Sequence, residues 1–112
     1  MQEAIIKLKN LGQMPDADED NPTEETIDMY DKLLSNVKTP ITKDELEVLI
    51  NIFPKNSMYG VEWVLLKLVE SYLIEVPTSK EYREVINECP SEEWREAMQA
   101  RLGNWEKKLD KK

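Results

Sequence analysis

Asp16, Asp18 and Asp20 stand at alternate positions, the D-x-D-x-D spacing that opens a calcium loop by converging carboxylates on one hard cation. The rest of that pattern is missing. The sixth position is Asn21 where glycine is needed, the seventh is Pro22, and the twelfth is Ile27 where a glutamate would close the shell. The segment therefore reads as a solvated acidic loop, and no metal is expected. The chain has no histidine and one cysteine, which rules out a histidine-based triad and the usual zinc ligand sets. Cys89, beside Pro90 and without a base, reads as a small packing residue. Gly12, Gly60 and Gly103 are isolated from one another, so no phosphate-cradling loop is present. The carboxylate pairs Glu24/Glu25 and Glu92/Glu93 open helices and read as partners of the helix dipole. No catalytic residue and no cofactor is expected, and the chain is not read as an enzyme.

Charge is the next candidate for function. The net charge is −8, and much of it lies between residues 13 and 37, where Asp16, Asp18, Glu19, Asp20, Glu24, Glu25, Asp28 and Asp31 face only Lys32. Residues 78 to 112 are balanced, with a lysine-rich end at Lys107, Lys108, Lys111 and Lys112. A concentrated negative surface repels nucleic acid and draws in basic partners, faster at low salt. Asp16, Asp18, Glu19, Asp20, Glu24, Glu25 and Asp28 are accordingly the partner-binding candidates.

These side chains must be carried by helices. Residues 59–76 form the central element: Val61, Val64, Leu65, Leu68, Val69, Tyr72 and Leu73 share one apolar face, with Glu62, Lys67, Glu70 and Ser71 opposite. Trp63 and Leu66 fall toward the polar side, as expected of a helix covered from two directions. Before it, residues 2–11 give a weakly amphipathic helix ending near Gly12, and 13–21 an exposed acidic loop. Asn21, Pro22 and Glu24 then make an N-cap, N1 and N3 start for a helix over 22–37, facing inward through Ile27, Tyr30, Leu34 and Val37.

Thr42 and Glu45 form a capping box, with Ile41 and Leu46 as its hydrophobic staple, for a helix ending before Pro54; its short link to the preceding helix predicts an antiparallel hairpin. Gly60, in the first turn of the central helix, points to close approach of another backbone. Pro77 stops that helix, Thr78 to Glu81 form a third box, and Tyr82, Val85 and Ile86 face inward up to Cys89. Ser91 caps a last helix along Trp94, Met98, Leu102, Trp105 and Leu109, with 110–112 frayed.

The fold expected is all-α: five or six helices in antiparallel hairpins, as a small α-solenoid-like stack or an irregular bundle, in a single domain spanning 1–112. No apolar run approaches the roughly 20 residues of a membrane span, no signal peptide is read at the amino end, and the single cysteine favours a cytoplasmic setting.

Residues 53–105 carry a resemblance. FPKNSMYGVEWVLLKLVES followed by PSEEWREAMQARLGNW is similar to a helical family of immunity proteins that accompany bacterial polymorphic and contact-dependent toxins, through Tyr59, Gly60, Trp63, Leu66, Glu70, Ser71, Glu93, Trp94, Arg101 and Asn104. Within it, Trp63 and Trp94 are read as packing anchors and Glu70 with Arg101 as a partly buried ion pair between helices. The resemblance implies a non-catalytic antitoxin that binds one cognate protein toxin, such as a basic nuclease-type domain, and covers its cleft with the acidic surface. A helical adaptor or regulatory domain binding another protein is the alternative.

Overall fold

Short amphipathic helices are marginal by themselves in water, so this chain has to bury their apolar faces against one another. A computed structural model describes residues 1–75 and 79–110. Among the described residues there are six helices and no strand: α1 Glu3–Leu11, α2 Glu24–Ser35, α3 Lys43–Asn51, α4 Val61–Glu75, α5 Lys80–Ile86 and α6 Glu92–Asp110. Helix α1 packs on α2, α3 on α4 and α5 on α6, making three hairpins. Further contacts of α1 with α3, α3 with α5 and α2 with α4 stack these hairpins in order, giving a short solenoid-like slab of 46 × 28 × 19 Å.

Several boundaries follow local chemistry as expected. The Thr42 hydroxyl accepts from the Glu45 amide at 3.2 Å while Glu45 Oε1 accepts from the Thr42 amide at 3.0 Å, closing the capping box of α3. Ile41 and Leu46, the staple pair, are both buried. Ser91 caps α6, its Oγ accepting from the Trp94 amide at 3.2 Å. Gly12 ends α1 at φ 80, and the Tyr30 hydroxyl donates to its carbonyl at 2.9 Å, tying α2 to that helix end.

Other expectations are corrected. Helix α2 starts at Glu24 with Thr23 as its N-cap, because Thr23 is extended and accepts from the Thr26 amide, whereas Asn21 takes the left-handed conformation at φ 43. It ends at Ser35, short of Val37. The expected hairpin of α2 with α3 is not the main pairing: α2 packs on α1 and α4, and α3 on α1, α4 and α5. Gln2 explains part of this partner choice. Its backbone N–H donates to Glu45 Oε2, its side-chain amide donates to the Lys38 carbonyl, and its Oε1 accepts from the Lys38 amide, so the start of α1 is stitched to the start of α3. Val76, Pro77 and Thr78, with the stop and third capping box expected there, lie outside the described residues, as do Lys111 and Lys112 of the expected frayed end; α5 is preceded by Ser79, whose hydroxyl donates to Glu106 rather than capping.

One contiguous core runs through all six helices. Ile5 and Leu8 of α1, Tyr30 and Leu34 of α2, Leu46, Leu49 and Ile50 of α3, Leu65, Val69 and Tyr72 of α4, Tyr82 and Ile86 of α5, and Met98 and Leu102 of α6 are all buried. Cys89 is buried among them, and burial pushes its thiol above the ordinary range, consistent with a packing role. No described helix is long and apolar enough to cross a membrane.

Candidate functional site

The acidic segment and the start of α4 meet at one place, the turn between α3 and α4. Loop 13–21 is not a free loop but is docked on that turn. The Met14 amide donates to the Ile52 carbonyl at 2.9 Å, the Gln13 side chain to the Phe53 carbonyl at 3.0 Å, and the Ala17 amide to the Ser57 carbonyl at 2.8 Å. Met14 and Met58 bury their side chains beneath this junction.

Asp16 fastens the junction. Its Oδ2 accepts from the amides of Asp18 at 3.2 Å and Glu19 at 3.0 Å, turning the loop back on itself, and its Oδ1 accepts from the amides of Asn56 at 3.1 Å and Ser57 at 3.3 Å, forty residues away. The Glu19 amide foremost holds the Asp16 carboxyl below the usual aspartate range; burial opposes this, and the amides of Ser57, Asn56 and Asp18 add to the lowering. Asp16 is only 1% exposed, so its inclusion among the partner-binding residues is corrected: both of its oxygens are occupied inside the protein. Asp18, Glu19, Asp20, Glu24, Glu25 and Asp28 are exposed as expected. Asp20 also accepts from the Asp16 amide at 2.7 Å, and Glu19 pairs with Lys55 at 3.2 Å. Among the described residues no group of three or more metal-ligating side chains is placed to hold an ion.

The start of α6 grips the other side of the same turn. Ser91 Oγ donates to the Lys55 carbonyl and Trp94 Nε1 to the Asn56 carbonyl, each at 2.7 Å. Trp94 is the anchor that was expected: it is buried, with its ring centroid 5.5 Å from that of Phe53.

Trp63 is not an anchor. It meets Trp94 edge to face, at 5.3 Å and 82°, and remains 60% exposed. The reason is its register: the buried arc of α4 runs through Val61, Leu65, Leu66, Val69, Tyr72 and Leu73, leaving Trp63 outside. Leu66, read alongside Trp63 as lying toward the polar side, is buried, so that placement did not by itself tell the two apart. Glu62, assigned to the polar face, is instead buried, because Oε2 folds back to accept from the Met58 amide at 3.0 Å and closes the turn ahead of α4.

Tyr59 and Gly60 form the last step into α4 with φ values of 49 and 89. Gly60 precedes the helix rather than lying in its first turn, and a Cβ added to it would meet nothing within 4 Å. Its glycine serves the left-handed backbone, not close approach of a neighbour, and that expectation is corrected. The same turn throws the Tyr59 side chain outward, 62% exposed.

Compared with protein-family models, with curated proteins and with solved structures, the chain matches none.

The remaining residues of the resemblance lie further along α4 and α6. Arg101 forks onto Glu70 with both N···O distances at 2.7 Å, joining the two helices as expected. Asn104 is exposed and lines an open groove with Glu70, Leu73, Arg101, Trp105 and Lys108. Glu93 is exposed at the start of α6. Sequence reasoning found Trp94 through its helical spacing and missed Met14, Met58 and the role of Asp16, whose partners are distant along the chain.

Proposed function

We propose that this protein is an immunity protein of a bacterial polymorphic or contact-dependent toxin system, acting in the cytoplasm by binding its cognate toxin domain and covering that domain's active cleft. The observation that carries the reading is the fixed display of Asp18, Glu19, Asp20, Glu24, Glu25 and Asp28 along one loop and the helix that follows it. Asp16 spends its charge inside the fold so that its neighbours are held in a defined place. A preorganised negative surface suits a partner with a basic cleft, because it speeds encounter and loses little entropy on docking. Inhibition by coverage needs no chemistry from the inhibitor.

The test is stopped-flow association with the purified toxin domain encoded beside this gene. The comparison variant carries Asp18→Asn, Glu19→Gln, Asp20→Asn, Glu24→Gln, Glu25→Gln and Asp28→Asn, with Asp16 kept. The on-rate of this variant should fall by about tenfold at low ionic strength, and its salt dependence should flatten. An unchanged on-rate and salt slope refutes the role given to the acidic surface.

A further inference from the structure

Tyr59 and Trp63 expose more of their side chains than any other large hydrophobic residue described. Single exposed apolar residues are ordinary on protein surfaces. These two stand four positions apart on either side of the entry to α4, and the turn that presents them is held from three directions. Asp16 holds the Asn56 and Ser57 amides, Ser91 and Trp94 hold the Lys55 and Asn56 carbonyls, and Glu62 holds the Met58 amide. A bulky residue at positive φ is costly, and Tyr59 keeps that conformation because these bonds over-determine the turn. The backbone that carries the two rings is thus set before any partner arrives.

The surroundings define what such a face would accept. Asp18, Glu19 and Asp20 flank the turn through the docked loop, and Glu92 and Glu93 flank it through the start of α6. The Asn56 carboxamide, with its nitrogen turned to that side, reaches Glu93 Oε2 at 2.7 Å. Lys55, paired with Glu19, and Lys67, one helical turn beyond Trp63, are the nearby bases. Aromatic faces attract guanidinium and ammonium groups, and a carboxylate rim completes the recognition of a cation that the rings alone would bind weakly.

We infer that Tyr59 and Trp63, at the turn against which the segments bearing Asp18, Glu19, Asp20 and Glu93 are docked, form the docking centre for a basic protein partner that lays an arginine or lysine side chain against the exposed rings. This inference rests on the inhibitor reading and locates the energetic centre of its interface. Rigid aromatic anchors within a charged rim are the residue types in which binding energy concentrates. The acidic residues of α2, farther along, then contribute mainly to steering.

The experiment measures Kd, off-rate and thermal midpoint for the wild type, Trp63→Ala, Tyr59→Ala and Trp63→Phe against the purified toxin domain encoded beside the gene, with sedimentation of the free protein alongside. Trp63→Ala should weaken binding at least about 30-fold, chiefly through the off-rate, and Tyr59→Ala at least about fivefold, while Trp63→Phe recovers part of the loss. Thermal midpoints should stay within about 6 °C of the wild type, which separates lost contact from lost fold. If the wild type binds but both alanine variants stay within about twofold of it, the aromatic face is not the docking centre, although the inhibitor reading stands. Self-association that depends on Trp63, with toxin affinity unchanged in Trp63→Ala, also overturns the inference by making a second copy the occupant. If the wild type neither binds nor neutralises the toxin, the reading fails and the inference falls with it.

Discussion

Trp94 and Trp63 touch each other, and their replacement by alanine should nevertheless have very different consequences. Trp94 is 6% exposed, stacks near Phe53 and donates its indole N–H to Asn56, so truncation opens a cavity and orphans a carbonyl. Loss of a buried tryptophan costs about 3 to 5 kcal/mol. Trp63, 60% exposed, gives up chiefly an edge-to-face contact worth about 0.5 to 1.5 kcal/mol. Unfolding entropy near 2.1 cal/mol/K per residue gives roughly 0.24 kcal/mol/K for 112 residues, so 1 kcal/mol moves Tm by about 4 °C. Trp94→Ala should therefore lower Tm by roughly 13 to 21 °C and Trp63→Ala by roughly 2 to 6 °C. Scanning calorimetry at one scan rate, with urea titration at 25 °C as a second measure, makes the comparison. Should Trp94→Ala prove too unstable to purify, Trp94→Phe keeps a ring, loses the hydrogen bond and should cost about 1 kcal/mol or somewhat more. Equal shifts for the two alanine variants, or a larger one for Trp63, would refute the division of labour between the rings.

Three further outcomes follow from the contacts. The folded-state pKa of Asp16 is depressed, so its contribution is complete above the unfolded value of about 4 and disappears as pH falls through the lower folded value. The urea midpoint of the wild type should consequently drop more between about pH 5 and pH 2 than that of Asp16→Asn, and parallel curves would contradict the linkage. Glu45 adds to the same acid sensitivity: burial pushes its carboxyl up, but hydrogen bonds from Thr42 and Gln2 outweigh that and leave it lowered. Thr42→Ala breaks the capping box of α3 and should cost about 1 kcal/mol, read as a fall of about 4 °C in Tm. A double-mutant cycle on Glu70 and Arg101, whose side chains are 27% and 51% exposed, should give a coupling of no more than about 1 kcal/mol that shrinks in high salt; a larger, salt-insensitive coupling would mean the pair is effectively desolvated.

The legible part of this protein is the part written in short intervals. Helical spacing exposed much of the buried stripes, among them Tyr30 and Leu34, Leu65 and Val69, Val85 and Ile86, and Met98 and Leu102; the Thr42/Glu45 box and Ser91 marked two helix starts, and the concentration of acids between Asp16 and Asp31 needed only counting. Trp94, read as a packing anchor, is buried, and Glu70 and Arg101 pair between α4 and α6. Some of what failed was local, such as the cap at Thr23 instead of Asn21 and Glu62 folding back on Met58; the rest involved contacts between segments far apart in the chain. Asp16 looks like any other member of an acidic run until Asn56 and Ser57 arrive beside it, and Gln2 gives no sign that it will fix α1 to α3.

Sequence alone determined where helices form and which side of most of them is apolar, because capping and periodicity act within a few residues. The tertiary structure alone decided which carboxylates remain available and which tryptophan faces water. Those outcomes depend on solvent access and on hydrogen-bond partners supplied by other elements, and neither quantity exists until the hairpins have stacked.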